Sequence, residues 1–317
     1  MVPVPEELLN FIRNGAYFAV VGHEEPDGDC IGSQLAISSM LLRMGKKAVP
    51  CSAGPFKRND LGNFAERFLP FPAEREGLKV LILDCSARER VGELPIDGLP
   101  WAVIDHHTSG NPEGGVQYLD PSAPSVTFMV EKIFRALGAE ITAEEAEFLL
   151  FGLCTDTGFF RHLDETRPEA FLAAYRLCAA GASPKKLFDI INGGKQLSSR
   201  LLLGSILAKT RPCFGGKLLV SDETLEERER FGPESRDSDM LYQLLQSVEC
   251  VEAIVLIRQE NKEECSIGFR SRDRIDSAAI AKQFGGGGHK NAAGAKVRGG
   301  IAELEEKVVT AFGEWFI

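Results

Sequence analysis

Three runs in the first third of the chain are apolar at nearly every position: Phe18-Ala19-Val20-Val21, Lys79-Val80-Leu81-Ile82-Leu83 and Trp101-Ala102-Val103-Ile104. Uninterrupted apolar strands are buried on both faces, which points to parallel pairing in an α/β sheet. Each run then breaks off into acids and histidines. The first leads into Gly22-His23-Glu24-Glu25-Pro26-Asp27-Gly28-Asp29-Cys30, the second into Asp84, and the third into Asp105-His106-His107. Open α/β sheets bind ligands at the carboxyl ends of their strands, so this one pattern constrains fold and site together. The stretch from Gln34 to Arg43 has helical period, which leaves His23, Asp27 and Asp29 on a loop bent by Pro26 and Gly28.

The remaining elements follow from the same periodicities. Glu6–Asn14, Ser125–Leu137 and Ala143–Leu153 read as helices and Lys47–Cys51 as a strand; the third helix runs into Cys154-Thr155-Asp156-Thr157-Gly158. Residues 168–209 are helical, broken at Gly181-Ala182-Ser183-Pro184 and Asn192-Gly193-Gly194. Beyond Arg211-Pro212 the spacing predicts strands over 217–221, 253–258 and 265–270, and helices over 239–247 and 277–284. A glycine run, Gly285 to Gly288, precedes His289, and Ile301 to Phe316 closes the chain as an amphipathic helix. The expected fold is α/β. It has a doubly wound, mainly parallel sheet domain over 1–185, a helical linker over 186–212, and a smaller α/β domain with a mixed sheet over 213–317.

Composition limits the partners. The formal net charge of −10 argues against unspecific gripping of long nucleic acid. Against that background, residues 270–298 carry seven basic side chains, Arg270 among them, and two acids, Asp273 and Asp276; such a strip suits a small anionic ligand. Eight cysteines without a CxxC pair suit a reducing cytoplasm, and Cys30, Cys85 and Cys154, beside the acidic clusters, each read as a small buried hydrophobe. No apolar run approaches the roughly 20 residues of a membrane span, and no basic-then-apolar leader opens the chain. A cytoplasmic location and no membrane partner are expected, with monomer and homodimer both open.

The chemistry resides in the polar strand ends. His23, Asp27, Asp29, Asp84, Asp105, His106 and His107, with Asp156 at a helix end, include three of the five histidines. Carboxylates and imidazoles without thiolate suit Mn²⁺, or Mg²⁺ as second choice, better than structural zinc. Two cations are needed to neutralise four or more carboxylates, and such a pair suits displacement at phosphorus. A buried ion-pair network would need lysines or arginines within these segments. A Ser-His-Asp hydrolase would need a Gly-x-Ser-x-Gly elbow, which is missing.

The motifs GHEEPDGDCIGS, LILDCSARER, VIDHH and LCTDTG, in this order, resemble the DHH phosphoesterases. The late segment FRSRDRIDSAAIAKQFGGGGHKNAAG resembles the DHH-associated C-terminal domain, and together they span nearly the whole chain. The chain is most similar to the compact nanoRNase and phosphoadenosine-phosphate phosphatase type within that family. The resemblance implies that His23, Asp27 and Asp84 hold one Mn²⁺ and that Asp29, Asp84, His106 and Asp156 hold a second, with Asp84 bridging. It implies that Asp105 orients a neighbouring histidine and that His107 touches the scissile phosphate. In the C-terminal domain it assigns Arg270, Ser271, Gly286, Gly287, Gly288 and His289 to the substrate. The implied substrates are short RNA or DNA oligonucleotides, cut to nucleoside monophosphates, and 3′-phosphoadenosine 5′-phosphate. The expected site is a cleft in which the basic strip faces the metals. Rival readings are a cyclic or linear dinucleotide phosphodiesterase, a RecJ-like single-strand exonuclease, and a non-catalytic RNA-binding module. Two departures bear on substrate preference: His162 stands where relatives usually have an aromatic residue, and Arg272 where many have lysine.

Overall fold

The apolar runs form the middle of a parallel sheet. The structure, a computed structural model, describes residues 2–57, 61–107, 114–272 and 274–316, and the chain divides into two compact units, Met1–Gly194 and Lys195–Ile317. Asp273 of the basic strip lies outside the described residues.

The first unit runs α1 (Glu6–Arg13), β1 (Tyr17–Val21), α2 (Gly28–Arg43), β2 (Lys47–Cys51), α3 (Gly62–Ala65), β3 (Leu78–Leu83), β4 (Trp101–Asp105), β5 (Val116–Leu119), α4 (Val126–Leu137), α5 (Ala143–Asp156), α6 (Glu169–Ala179) and α7 (Pro184–Asn192). The strands lie in the order β2-β1-β3-β4-β5, all parallel. Alternation along the strands divides the core. Phe18, Val20, Leu81, Leu83, Ala102 and Ile104 pack with α2, α4 and α5, while Ala19, Val21, Val80, Ile82 and Val103 pack with Cys85, Val91 and Ile96. Edge strand β5 was not foreseen: Val116-Gln117-Tyr118-Leu119 has no apolar run to signal it.

Helix α2 corrects one expectation. It begins at Gly28 rather than Gln34, so Asp29 and Cys30 lie in its first turn and not on a loop. Asp27 is its N-cap, with Oδ1 accepting from the Asp29 and Cys30 N–H groups at 3.0 Å each. A periodicity read from Gln34 misses these six residues, because nearly all of α2 is buried and it presents no polar face until its end. Helix α5 crosses α2 at close range through Gly32, where an added Cβ would lie 2.4 Å from the Phe148 carbonyl oxygen. Buried Glu145, in the capping box of α5, fixes the same pair by taking both Arg43 Nε and Nη2, at 3.0 and 2.9 Å.

The second unit comprises α8 (Leu197–Lys209), β6 (Arg211–Cys213), β7 (Leu218–Glu223), α9 (Leu225–Phe231), α10 (Ser238–Gln246), β8 (Ala253–Gln259), β9 (Glu264–Ser271), α11 (Ser277–Gln283), β10 (Gly287–His289), β11 (Ala292–Arg298) and α12 (Ile301–Gly313). Its sheet has the order β10-β11-β9-β8-β7-β6 and is mixed, with only β7 and β8 parallel. Leu202, Leu203 and Ile206 of α8, within the stretch read as a linker, are buried with Leu219, Ile254 and Leu256 of this sheet. Part of the glycine run forms β10. Among the described residues no helix is long and apolar enough to cross a membrane.

A pair of glycine substitutions tests this packing. Gly32→Ala drives a methyl into backbone and should cost about 1–3 kcal/mol of stability, as overpacking does. Gly204→Ala, at an exposed position of α8 with nothing within 4 Å of its Cβ, should gain about 0.5–1 kcal/mol. Urea unfolding followed by circular dichroism reads both signs.

Candidate metal centre

The strand order places a topological switch between β1 and β3, the position at which open sheets form their ligand crevice. His23 follows β1 there, Asp84 follows β3, and Asp105 ends β4 with His106 and His107 behind it. Asp84 adopts φ +60°, a left-handed conformation that costs a non-glycine residue of order 1–3 kcal/mol and persists only where its surroundings impose it. Its amide donates to the Ile104 carbonyl at 3.0 Å, which helps hold the turn.

Around Asp84 the side chains converge. His23 Nε2 lies 3.5 Å from Asp84 Oδ2, and His106 Nε2 lies 3.8 Å from Asp84 Oδ1 and 3.5 Å from Asp156 Oδ2. Three groups each have potential ligand atoms within 4.8 Å of one another: His23, Cys30 and Asp84; Asp84, His106 and His107; and Asp29, His106 and Asp156. The first two share Asp84, and the last two share His106. Asp27 belongs to none of these groups, since its Oδ1 caps α2.

The imidazoles are oriented by backbone. His23 Nδ1 faces the Glu24 carbonyl at 2.7 Å, and His106 Nδ1 faces the Ala123 carbonyl at 3.2 Å. Each carbonyl can only accept, so Nδ1 donates to it and Nε2 is the ring atom turned towards Asp84. That arrangement is how metal-ligating histidines are commonly held. Cys30 is a different case. Its thiol donates to Gln34 Oε1 at 3.4 Å, and burial, reinforced by Asp84, pushes its pKa well above the usual value. The donor set is therefore oxygen and imidazole, the set that suits Mn²⁺ and Mg²⁺.

The carboxylates need a cation. Burial, followed by the charges of Asp29, Asp27, Asp105 and Asp156, raises the Asp84 carboxyl well above its usual range. Burial and then Asp29 push Asp156 up to about 7. Among the described residues, the ion-pair partners of Asp84, Asp105 and Asp156 are histidines, with no lysine or arginine. Asp84 Oδ1 and Asp105 Oδ2 are buried without a hydrogen-bond partner, which fits a centre completed by divalent cations. Asp29 is wholly buried, and burial raises its pKa as well. Its oxygens accept from the Val126 and Thr127 N–H groups at 2.5 and 2.9 Å and from Thr127 Oγ1 at 2.7 Å, so it sits on the N-terminus of α4. Nothing in sequence signalled this contact, which joins residues 97 and 98 positions apart.

His107 differs from the other two histidines. Its Nδ1 and its backbone N–H both donate to Asp105 Oδ1, at 2.8 and 3.1 Å. That side-chain hydrogen bond raises the His107 pKa above its usual value; burial and the nearby Arg90 charge oppose the rise. Burial pushes Asp105 upward, but the hydrogen bonds from His107 overturn this and hold it low. The His107 side chain is 37% exposed, so its Nε2 edge can meet a ligand.

The second unit treats its expected substrate residues unequally. The Arg270 guanidinium lies over the Tyr242 ring at 4.3 Å, and His289 is exposed on β10. Ser271 departs from expectation: it is buried, and its hydroxyl is engaged with the Ile275 and Lys290 carbonyls and Ser277 Oγ. It ties the end of β9 to the following loop. Gly286 and Gly288 are required by the approach of β10 to β11, where an added Cβ would lie 2.1 and 2.6 Å from backbone oxygens. Gly287 alone opens onto free space.

Comparison with known proteins agrees with this geometry. The family described as "DHH family, N-terminal domain" matches residues 17–153, and the DHHA1 domain matches residues 204–317. The chain is 33% identical over 309 residues to the bifunctional oligoribonuclease and PAP phosphatase NrnA of Thermus thermophilus, covering 97% of this chain and 92% of that protein. An exopolyphosphatase-related protein from Bacteroides fragilis has the same fold, with TM-score 0.82 at 21% identity over 98% of this chain and 96% of that one. RecJ from Thermus thermophilus in complex with Mn²⁺ matches at TM-score 0.55 and 17% identity, over 98% of this chain and 54% of RecJ.

The raised carboxyls set the pH behaviour of the metal-free protein. A folded state that holds protons more tightly than the unfolded chain loses stability as pH rises from the ordinary carboxyl value of 3.8 to about 7. Thermal melts in chelator between pH 5 and 8 should show this loss, and saturating Mn²⁺ should reverse it. A pH slope unaffected by Mn²⁺ would count against a cation centre.

Proposed function

The chain belongs to the DHH family, with a DHHA1 domain behind its DHH domain, and we propose that it hydrolyses very short oligonucleotides to nucleoside monophosphates and releases the 3′-phosphate of 3′-phosphoadenosine 5′-phosphate. It is a phosphoric ester hydrolase. The observation that supports phosphoester chemistry is the juxtaposition of an unsatisfied buried Asp84 with a His107 whose proton Asp105 holds in place. The name of the Thermus relative, which states both activities, supports it.

In this reading His23, Asp27 and Asp84 hold one Mn²⁺, and Asp29, Asp84, His106 and Asp156 hold the second, with Mg²⁺ as the weaker alternative. The cations, when bound, supply the positive charge that stabilises negative charge building on the phosphoryl oxygens. The protein does the rest. The backbone carbonyls of Glu24 and Ala123 fix two imidazoles, and the N-terminus of α4 fixes Asp29. Asp105 keeps the proton on His107 Nδ1, so that the imidazolium can donate from Nε2 to a phosphoryl oxygen and then to the leaving oxygen. Arg270 and His289 of the second unit are proposed as further substrate contacts. A protein of net charge −10 gains little from additional phosphates, which favours short chains.

Incubation with Mn²⁺ and a ladder of RNA and DNA oligomers from dimer to 20-mer tests the proposal. Dimers should disappear fastest, giving nucleoside monophosphates, and a 20-mer cut as fast as a dimer would overturn the preference. His107→Ala should lose roughly a hundredfold or more in kcat. If the His107 imidazolium is the active form, the rate falls as pH rises through its raised pKa. Asp105→Asn removes the cause of the rise, so that descending limb should move to lower pH.

A further inference from the structure

Immediately after Asp156 the chain makes an unusual turn. Gly158, Phe159 and Phe160 have φ of +56°, +55° and +69°, three left-handed residues in succession. For the two phenylalanines this conformation is strained and must be held by their surroundings. It is held at each ring. Phe159 meets Phe188 edge-on at 5.2 Å, and Phe160 stacks on Phe171 at 5.2 Å and 27°. The Thr157 hydroxyl accepts from the Phe160 amide at 3.1 Å, and the Thr157 carbonyl accepts from the His162 amide at 3.0 Å.

The turn has a consequence at the metal centre. It lays the His162 ring across Gly158, where a Cβ would come within 2.7 Å of two ring atoms. It also brings His162 and Arg167 into a pocket of about 220 Å³ whose other walls include His106, Asp156, Pro121 and Pro124. Two of those lining residues belong to the third group of potential ligands, so the pocket opens beside the metal centre. Its remaining surface includes the His162 ring, two prolines and the Arg167 guanidinium, with Ala123, Thr157 and Leu163 completing the wall. His162 Nε2 faces Arg161 Nη2 at 3.3 Å and can only accept there, which leaves a neutral ring suited to stacking.

We propose that this pocket is a nucleoside subsite, in which the base of the nucleotide held by its phosphate at the metal centre stacks on His162, between the prolines and Arg167. The inference rests on the nucleotide phosphoesterase reading above and names a specificity residue within it. Stacking on a side-chain ring tolerates any base, because every base has a π-face. An enzyme that must clear short oligomers of mixed sequence needs that tolerance.

The test uses product binding, so that it does not depend on turnover. The Mn²⁺-loaded protein is titrated calorimetrically with AMP, ribose 5-phosphate and inorganic phosphate. The parent should bind AMP roughly tenfold or more tightly than ribose 5-phosphate, the difference being the stacked base. His162→Ala should erase most of that difference and leave the affinities for ribose 5-phosphate and phosphate unchanged, while His162→Phe should retain it. AMP affinity equal to that for ribose 5-phosphate in the parent would overturn the subsite, as would undiminished AMP binding by His162→Ala. A loss common to all three ligands would also overturn it, since that reports damage to the metal centre. Hydrolysis of a dinucleotide by the same preparation tests the enzyme reading separately: failure there with the expected binding pattern would sink the proposed activity and spare the pocket.

Discussion

Buried carboxylates with no permanent cation among them govern the first unit. Asp29, Asp84 and Asp105 are almost inaccessible to water, and Asp156 is partly so. Two like charges about 4 Å apart repel by ~4 kcal/mol at an effective dielectric of ~20. Among the described residues no lysine or arginine pairs with these groups, and burial and mutual repulsion raise Asp84 and Asp156. A structural network would have been built with opposite charges, because removing one partner from a buried pair is costly. A divalent cation would relieve the same repulsion with the carboxylates ionised, and Nε2 of His23 and of His106 faces the volume it would occupy.

The fold positions these groups mainly with backbone. Strand ends place Asp84 and Asp105, carbonyls orient two imidazoles, and the N-terminus of α4 receives Asp29. Backbone groups carry no rotamer freedom, so side chains held by them have less entropy to lose on meeting a ligand. The strain at Asp84, like that at Phe159 and Phe160, is stored beside the site and opposed by well-packed cores on both sides of the sheet.

Sequence alone disclosed the strands that carry ligands because they are apolar throughout and end abruptly in acids. It also disclosed the histidines, since the chain has only five. It did not disclose where α2 begins, because a fully buried helix has no polar face to mark its period. Strands β5, β6, β10 and β11 also escaped notice, being short or rich in alanine and glycine. The setting of Ser271 could not be read either: the resemblance names it as a substrate contact, and the structure shows its hydroxyl engaged with two carbonyls and Ser277. The contact between Asp29 and α4 could not be read, because long-range pairing leaves no local periodicity.

The histidines also show how identical side chains acquire different chemistry. His23 and His106 hydrogen-bond through Nδ1 to neutral backbone carbonyls. His107 hydrogen-bonds to a carboxylate instead, and the imidazolium gains from that negative partner. Neutral rings can offer lone pairs to a cation, whereas an imidazolium repels one and attracts a phosphoryl oxygen. Adjacent positions in the chain, His106 and His107, thus differ in the partner that orients each ring. Nδ1 faces a carbonyl of the segment after β5 in the first and the acid at the end of β4 in the second.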